Sequence, residues 1–227
     1  MRGGVFITGG TGYVGSRLAT ELHARGHHVR VLSRAASAAR VPPGIEAVIG
    51  DALDASSYRQ FVRPGDTFVH LVGTPHPSPA KAAEFRRVDL PSIQAAVSAA
   101  VSAGVAHFVY VSVAHPAPIM HAYIAVRKEG EAAIAGAGLT ATILRPWYVL
   151  GPGHWWPVAI VPLYAAAQLV PAWRPGAERL GLVTISEMVN ALTWAVQHPP
   201  PAGERRVMDV PHIRKKIADT TSEARTP

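Results

Sequence analysis

The residues Thr8-Gly9-Gly10-Thr11-Gly12-Tyr13-Val14-Gly15 decide the fold class of this chain. They continue directly from the apolar run Gly4–Thr8, which is typical of a strand, and they lead into Gly12–Arg25, which is typical of a helix. A tight turn needs a residue without a Cβ atom, and close packing of the helix on the strand needs another. The free N–H groups at the start of such a helix attract phosphate. The stretch therefore predicts a strand–turn–helix unit that binds a dinucleotide.

Strand and helix patterns alternate along the rest of the first 150 residues. Further strands are predicted at Val29–Ser33, Ala47–Ile49, Thr67–Val72, His107–Ser112 and Thr140–Leu144. Further helices are predicted at Ser56–Val62, Ala80–Ala103 and Ile119–Ala137. The strand candidates are apolar at nearly every residue, as strands covered on both faces must be. The alternation predicts an α/β fold with a doubly wound parallel sheet.

The regular alternation stops near residue 150, where prolines begin to punctuate an aromatic-rich stretch. We expect a dinucleotide-binding domain over 1–150, a small C-terminal lobe on the substrate side over 151–213, and a polar tail over 214–227. Within the lobe, Ser186–Gln197 predicts a helix with Ser186 as its N-cap. A last short strand is predicted at Val207–Val210.

Composition excludes several classes of protein. The chain has 227 residues, is 48% hydrophobic and contains no cysteine. A disulfide scaffold, a thiol nucleophile, a cysteine-ligated zinc site and an iron–sulfur cluster are therefore excluded. The net charge of +7 comes from arginines scattered along the chain rather than from one block. This distribution favours attraction of an anionic cofactor or substrate and does not predict a nucleic-acid partner.

One long uncharged segment raises the question of a membrane. Trp155–Trp173 carries no charged residue and approaches a spanning length of about 20 residues. Pro157, Pro162 and Pro171 interrupt it, and lipid cannot replace the helix hydrogen bonds that prolines remove. We expect no transmembrane span, although peripheral contact with a membrane or a protein complex stays open. Because a strand pattern starts almost at the first residue, we expect no signal peptide and a cytoplasmic protein.

The end of the second predicted strand bears on the type of dinucleotide. An NAD site usually has a carboxylate there, which accepts a hydrogen bond from the ribose 2′-hydroxyl. This strand ends Val31-Leu32-Ser33-Arg34, without a carboxylate. Arg34 has the forked donors that suit a 2′-phosphate, and Ser33 could donate to it as well. The sequence favours NADP(H), with NAD(H) as the alternative.

These residues resemble the short-chain dehydrogenase/reductases, in particular their extended and atypical branches. The resemblance covers roughly residues 5–153 and rests on Thr8-Gly9-x-x-Gly12-x-x-Gly15, Gly50-Asp51, Leu71-Val72-Gly73, Leu144-Arg145-Pro146 and Gly151-Pro152-Gly153. It implies a Rossmann fold. It also implies a cofactor site formed by Gly9, Gly12, Tyr13, Val14, Gly15, Ser33, Arg34, Asp51, Ala52, Val72, Gly73, Arg127 and Pro146.

The same resemblance implies a catalytic tyrosine, a lysine four residues later, and a hydroxyl residue at the end of the fifth strand. Tyr123, Arg127 and Ser112 stand at these positions, with Lys128 one residue beyond the usual lysine. Residues four apart share a helix face, so Tyr123 and Arg127 are expected to lie together. A guanidinium supplies positive charge but does not relay protons. Val113 follows Ser112 where family members often have a second hydroxyl residue.

The chain has eleven histidines, but no pair has the spacing of a zinc hydrolase, so no metal site is predicted. His115, His121 and His154 could instead face the substrate space. Aromatic residues around the last glycine turn predict either a wall of the substrate pocket or core packing; these are Trp147, Tyr148, Trp155 and Trp156.

Two functions remain open, with a third disfavoured. The first is an NADP(H)-dependent oxidoreductase that acts on a small hydrophobic carbonyl compound. The second is a nucleotide-binding module without turnover, either a redox-sensing regulator or an accessory subunit of a membrane respiratory complex. A nucleotide-sugar epimerase is disfavoured because the C-terminal lobe is short. A homodimer formed through Ala80–Ala103 and Ile119–Ala137 is also left open.

Overall fold

The computed structural model describes residues 3–152, 176 and 179–215. Seven strands form one parallel sheet in the order β3-β2-β1-β4-β5-β6-β9. The strands are β1 (Gly4–Thr8), β2 (His28–Ser33), β3 (Glu46–Ile49), β4 (Thr67–His70), β5 (His107–Val111), β6 (Ala141–Arg145), β7 (Tyr148–Leu150), β8 (Leu182–Thr184) and β9 (Arg205–Asp209). The strand order reverses between β1 and β4, which confirms the doubly wound α/β fold.

Helices cover both faces of this sheet. They are α1 (Tyr13–Ala24), α2 (Ala82–Glu84), α3 (Leu90–Ala103), α4 (His121–Gly136) and α5 (Ile185–Gln197). Short 3-10 turns lie at Ala35–Arg40, Ala55–Ser57, Arg59–Phe61 and Pro79–Lys81, a π-helical turn lies at Phe85–Asp89, and residues 210–215 are helical.

Alternation along the central strands builds a separate core on each face of the sheet. Phe6, Phe68 and Phe108 occupy paired positions on β1, β4 and β5. Their rings follow one another at centroid distances of 5.3 and 5.2 Å, and α3 packs over them. On the other face, Ile7 of β1 lies in the same cluster as buried residues of α1 and α5. The sheet therefore has little water contact at its centre, as the apolar strand patterns predict.

Two predicted helices were wrong in part. Ser56–Val62 forms 3-10 turns rather than an α-helix, because Tyr58 leaves helical geometry at φ −139° and buries its ring against Phe6. The prediction Ala80–Ala103 contains a π-helical turn at Phe85–Asp89 just before α3. Pro91, in the first turn of α3, has no N–H to donate to the preceding turn, which accounts for the irregularity there.

The C-terminal elements also differ from the sequence-based expectation. Helix α5 is capped by Thr184 and not by Ser186, since Thr184 and Glu187 form a reciprocal capping box. Strands β7 and β8 were not predicted, and they pair in a second, two-stranded sheet. The last predicted strand is confirmed as β9, which pairs with β6 and extends the main sheet. The proposed lobe over 151–213 stays a prediction, since much of it lies outside the described residues.

Two histidines are buried within the sheet. His70 lies between Thr8 Oγ1 at 2.8 Å and Ser92 Oγ at 3.4 Å, and His107 Nε2 lies 2.9 Å from Thr142 Oγ1. Burial lowers the pKa of His70 to about 3 and the pKa of His107 to about 4. Both imidazoles are therefore neutral in the folded protein near pH 7.

We predict that these histidines make folding stability depend on pH in mildly acidic solution. In the unfolded chain an imidazole takes up its proton near pH 6.5, so between pH 6.5 and pH 4 the unfolded state binds more protons than the folded state. Stability is thus fully present above pH 6.5 and is lost as the pH falls toward the folded-state pKa values. Each histidine adds a slope of up to about 1.4 kcal/mol per pH unit.

Urea unfolding at several pH values between 7 and 4.5 measures this slope. His107→Gln removes one titrating group and should lower the slope by up to one proton. An identical slope for wild type and His107→Gln would contradict the prediction.

Candidate functional site

Backbone atoms leave no room for a side chain at two glycines of the turn between β1 and α1. Gly9 has φ +77°, and a Cβ atom there would lie 2.7 Å from the backbone carbon of Leu71. A Cβ atom on Gly15 would lie 2.2 Å from the Gly9 carbonyl oxygen. Neither distance is possible, so the strand, the turn and the helix meet only because both residues are glycine.

Gly12 differs, because its backbone conformation does not require glycine. It is extended, at φ −83° and ψ 179°, and a Cβ atom would approach only the Gly9 oxygen, at 3.2 Å. The bare Cα leaves open the N-terminus of α1, where the first turn, which includes Tyr13 and Val14, carries no acidic residue. The first N–H groups of a helix have no intrahelical acceptor and suit an anion. This cradle fits the pyrophosphate of a dinucleotide.

The residues predicted to hold the adenosine end lie after β2 and β3. Ser33 is buried, and its hydroxyl donates to the Arg34 carbonyl at 3.0 Å, while the Arg34 side chain is exposed. Asp51 is exposed, and its Oδ1 accepts from the Leu53 amide at 3.0 Å, with half-buried Ala52 between them. Both the Arg34 cation and the Asp51 carboxylate are thus accessible to a ligand at this edge of the sheet.

Arg127 is enclosed at the carboxyl ends of β4 and β5. It is 5% exposed, its Nη2 donates to Asp89 Oδ1 at 2.7 Å, and its Nη1 donates to the Val111 carbonyl at 3.1 Å. The Val72 carbonyl lies 3.5 Å from both terminal nitrogens. Burial opposes the charge, but two neighbouring tyrosines and Asp89 outweigh it and raise the pKa of Arg127. The guanidinium is a fixed, buried cation.

Asp89 and Gly73 complete the surroundings of this cation. Asp89 is buried, and its Oδ2 accepts from the amide and the hydroxyl of Thr74 at 3.0 and 2.6 Å. A Cβ atom on Gly73 would lie 2.3 Å from Arg127 Nη2, so the segment after β4 passes the guanidinium at a distance that leaves no room for a side chain. Sequence reasoning missed Asp89 and Thr74, since neither belongs to a recognisable motif.

Tyr123 lies against Arg127, as the four-residue spacing predicts. The guanidinium carbon is 4.9 Å from the centroid of the half-buried Tyr123 ring, and the Phe85 ring is also 4.9 Å away. A cavity of about 330 Å³ adjoins this ring; its lining is Pro79, Phe85, Pro118, Ile119, Met120, His121, Ala122 and Tyr123. The candidate proton donor thus borders a mostly apolar space.

Ser112 is engaged in a second pair of charges. Its hydroxyl donates to Glu131 Oε1 at 2.6 Å, and Arg145 forms an ion pair with the same carboxylate. The adjacent Pro146 is buried, and its carbonyl accepts from the Ala114 amide at 2.9 Å. In this conformation the Ser112 hydroxyl is bound to protein and not presented to a substrate. The sequence gave no signal of the link between Glu131 and Ser112.

The histidines noted in the sequence separate into two groups. His115 and His121 line one cavity of about 510 Å³, while His154 lies outside the described residues. Among the aromatic residues of the last turn, Trp155 and Trp156 also lie outside them. Within 3–152 and 179–215 there is no group of three or more potential metal ligands. In the same part of the chain, no helix is long and apolar enough to cross a membrane.

Comparison with known proteins agrees with the nucleotide binding that the glycine turn predicts. Residues 9–152 match the model of a family described as NAD(P)H-binding. The chain belongs to this NAD(P)H-binding family. The matched range contains the glycine turn and the candidate catalytic residues Ser112, Tyr123 and Arg127. The resemblance drawn from the sequence is therefore confirmed.

Curated relatives in this family are reductases and dehydrogenases. The chain is 31% identical to a ceramide reductase of Caulobacter vibrioides over 178 residues, which are 75% of this chain and 54% of the relative. It is 27% identical to 4-hydroxy-2-methyl-3-oxo-4-farnesyl-3,4-dihydroquinoline-1-oxide ketoreductase of Stigmatella aurantiaca over 168 residues, 64% of this chain and 50% of that protein. The chain therefore spans about half the length of these relatives.

Solved structures show the same fold at low identity. A short-chain dehydrogenase/reductase superfamily protein from Agrobacterium tumefaciens with bound NAD superposes with a TM-score of 0.65 at 19% identity, over 96% of this chain and 83% of that one. A dTDP-glucose 4,6-dehydratase from Streptomyces venezuelae with bound NAD gives 0.66 at 22% identity, over 96% and 81%. These likenesses confirm the Rossmann architecture.

We predict that Gly73→Ala destabilises the NAD(P)H-binding fold by about 1–3 kcal/mol, because the new methyl group must displace a buried, ion-paired guanidinium. Gly136→Ala is the matched control. Gly136 ends α4, no atom would lie within 4 Å of its Cβ, and alanine favours helix, so this variant should be neutral or slightly stabilised. Urea unfolding of both variants checks the prediction, and equal stabilities would contradict it.

Proposed function

We propose that the protein is an NADP(H)-dependent reductase of a hydrophobic carbonyl compound. The observation that carries the proposal is the position of Tyr123, whose ring borders an apolar cavity and lies 4.9 Å from the Arg127 guanidinium. A phenol next to a fixed cation and an apolar space suits proton donation to a carbonyl oxygen.

Each residue has a defined part in this reaction. The α1 N-terminus and the glycine turn would hold the pyrophosphate, and Arg34 with Ser33 would hold the 2′-phosphate. When bound, the dihydronicotinamide supplies a hydride to the carbonyl carbon. Tyr123 gives its phenolic proton to the carbonyl oxygen, which becomes the hydroxyl of the product, and solvent returns a proton to Tyr123. Arg127 stabilises the phenolate left after this transfer, without exchanging a proton itself.

The curated relatives support a hydrophobic substrate. Their names refer to ceramide, to a farnesylated quinoline and, for a Mycobacterium tuberculosis protein that is 34% identical over 48% of this chain and 31% of its own length, to a 3β-hydroxysteroid. The same names describe a reductase, a ketoreductase and a dehydrogenase of largely apolar molecules. The wall around Tyr123, with Phe85 and Met120, is of the same character.

A nucleotide-binding regulator without turnover is the second candidate. It is favoured by the Ser112 hydroxyl, which donates to Glu131 at 2.6 Å and is therefore not free to bind a substrate oxygen. The two candidates differ in one measurable property, which is whether NADPH is consumed in the presence of apolar ketones and aldehydes.

We predict that Arg34→Ala weakens NADPH binding about 10- to 100-fold while changing NADH binding little, because a charge-assisted contact to the 2′-phosphate is lost. Calorimetric titration with each nucleotide measures both affinities. Arg63→Ala is the control: it removes the same charge from an exposed residue just before β4, at the opposite edge of the sheet. Equal loss of NADPH affinity in both variants would show that Arg34 has no specific role.

We predict that Tyr123→Phe lowers turnover of NADPH by on the order of 10²–10⁴ and leaves the dissociation constant of NADPH nearly unchanged. Tyr58→Phe is the matched control, since it removes a hydroxyl that is buried without a hydrogen-bond partner among the described residues. Full activity of Tyr123→Phe would exclude Tyr123 as the proton donor. Absence of turnover in the wild type with every carbonyl tested would instead favour the regulator.

A further inference from the structure

Two cavities flank the first half of α4 and share His121 as a common wall. The first contains Tyr123. The second, of about 510 Å³, is lined by His115, Pro116, Ala117, His121, Ile124, Ala125 and Lys128. Five helical residues separate Tyr123 from Lys128, which places their side chains about 140° apart around the helix axis. Lys128 therefore belongs to a different space from the one that Tyr123 borders.

The polar part of the second cavity is entirely basic. Lys128 and the imidazoles of His115 and His121 line it, and no carboxylate of the described residues does. At its rim, Arg179 Nε donates to the Pro116 carbonyl at 3.2 Å, which brings a guanidinium to the same place. These groups come from three separate parts of the chain, so their meeting is a property of the fold and not of one helix face.

The two carboxylates that follow Lys128 on α4 do not neutralise this charge, and the first of them, Glu129, forms an ion pair with Arg86. Glu131 lies three residues after Lys128, but it forms an ion pair with Arg145 and accepts from Ser112. Among the described residues, none forms an ion pair with Lys128. The cavity thus combines unpaired positive charge with an apolar floor formed by Ile124 and Ala125. This combination suits the anionic end of an amphiphile better than it suits a neutral hydrocarbon.

We propose that the cavity of His115, His121 and Lys128 binds a carboxylate or phosphate group of the substrate, so that the substrate is an anionic amphiphile. The proposal rests on the proposed function, since the carbonyl of the same molecule would lie beside Tyr123. His121 and Lys128 are seven helical residues apart, or about 10 Å along the axis. A substrate with several carbons between its carbonyl and its anionic group would therefore extend past His121, which lines both cavities, and contact Tyr123 at one end and Lys128 at the other.

Binding measured without turnover tests the site by itself. Calorimetric titration compares decanoate, decyl phosphate and decanol, which differ in the head group but share the chain. We expect both anions to bind more tightly than decanol, and the difference to shrink at high salt, because exposed charges are screened. The tighter of the two anions identifies the group that the cavity prefers.

Single substitutions connect this preference to the named residues. Lys128→Gln, which removes a charge, should weaken decanoate binding about two- to fivefold, the size expected for an exposed charge pair. His121→Gln, which removes an imidazole from the cavity wall, should also weaken decanoate binding, and both variants should leave decanol binding unchanged. Lys215→Gln and His28→Gln make the same chemical changes at exposed residues that line neither cavity, and they should have no effect. Decanol binding as tightly as decanoate, or variants that weaken both ligands equally, would overturn the proposal.

An activity measurement separates this inference from the proposed function. With an oxodecanoic acid and its methyl ester as substrates, Lys128→Gln should raise KM for the acid only and leave kcat unchanged. If decanoate binds as expected but no carbonyl is reduced, the anion site stands and the proposed reductase activity fails. If the ester and the acid are reduced equally well by wild type, the reductase activity stands and the anion site fails.

Discussion

The close contact of β1, the glycine turn and α1 is the constraint on which the rest of the structure depends. The Gly9 backbone packs on Leu71 at the end of β4, and Gly15 packs on Gly9, with no room for a Cβ atom at either glycine. Because the helix starts this near the sheet, its N-terminal N–H groups open at the carboxyl edge of the strands. Helix α5 then packs beside α1 on the same face of the sheet and completes that part of the core.

Two ion pairs hold α4 against the sheet and α3. In one of them α4 supplies the cation, and in the other it supplies the carboxylate. Arg127 pairs with Asp89, which immediately precedes α3, and Glu131 pairs with Arg145, at the end of β6. The two α4 residues lie one turn apart on the same helix face, and they connect the helix to two separate neighbours. Breaking a buried pair costs more than forming it gains, because one charge is left without its partner. The direction of the Tyr123 side chain therefore depends on the buried Arg127–Asp89 pair.

Much of this arrangement could be predicted from the sequence, for identifiable reasons. The strands and the glycine turn can be predicted from short stretches of sequence, because they depend on apolar runs and on residues that must lack a side chain. The four-residue spacing of Tyr123 and Arg127 likewise predicts that they share a helix face. Asp89 could not be found in this way. Its partner is 38 residues away, and an aspartate before a helix is usually a solvated cap. Tyr58 shows the converse, since burial of its ring overrides a local helical pattern.

The arginine at position 127 is best understood together with its surroundings. A lysine ammonium is a compact point charge, whereas a guanidinium presents donors in a planar fork. Here that fork meets a carboxylate oxygen of Asp89 and the carbonyl of Val111, and Gly73 leaves space for one of its nitrogens. A site that had merely lost its lysine would need none of these matching features. Arg127 is therefore held beside Tyr123 as a buried cation by contacts that suit a guanidinium.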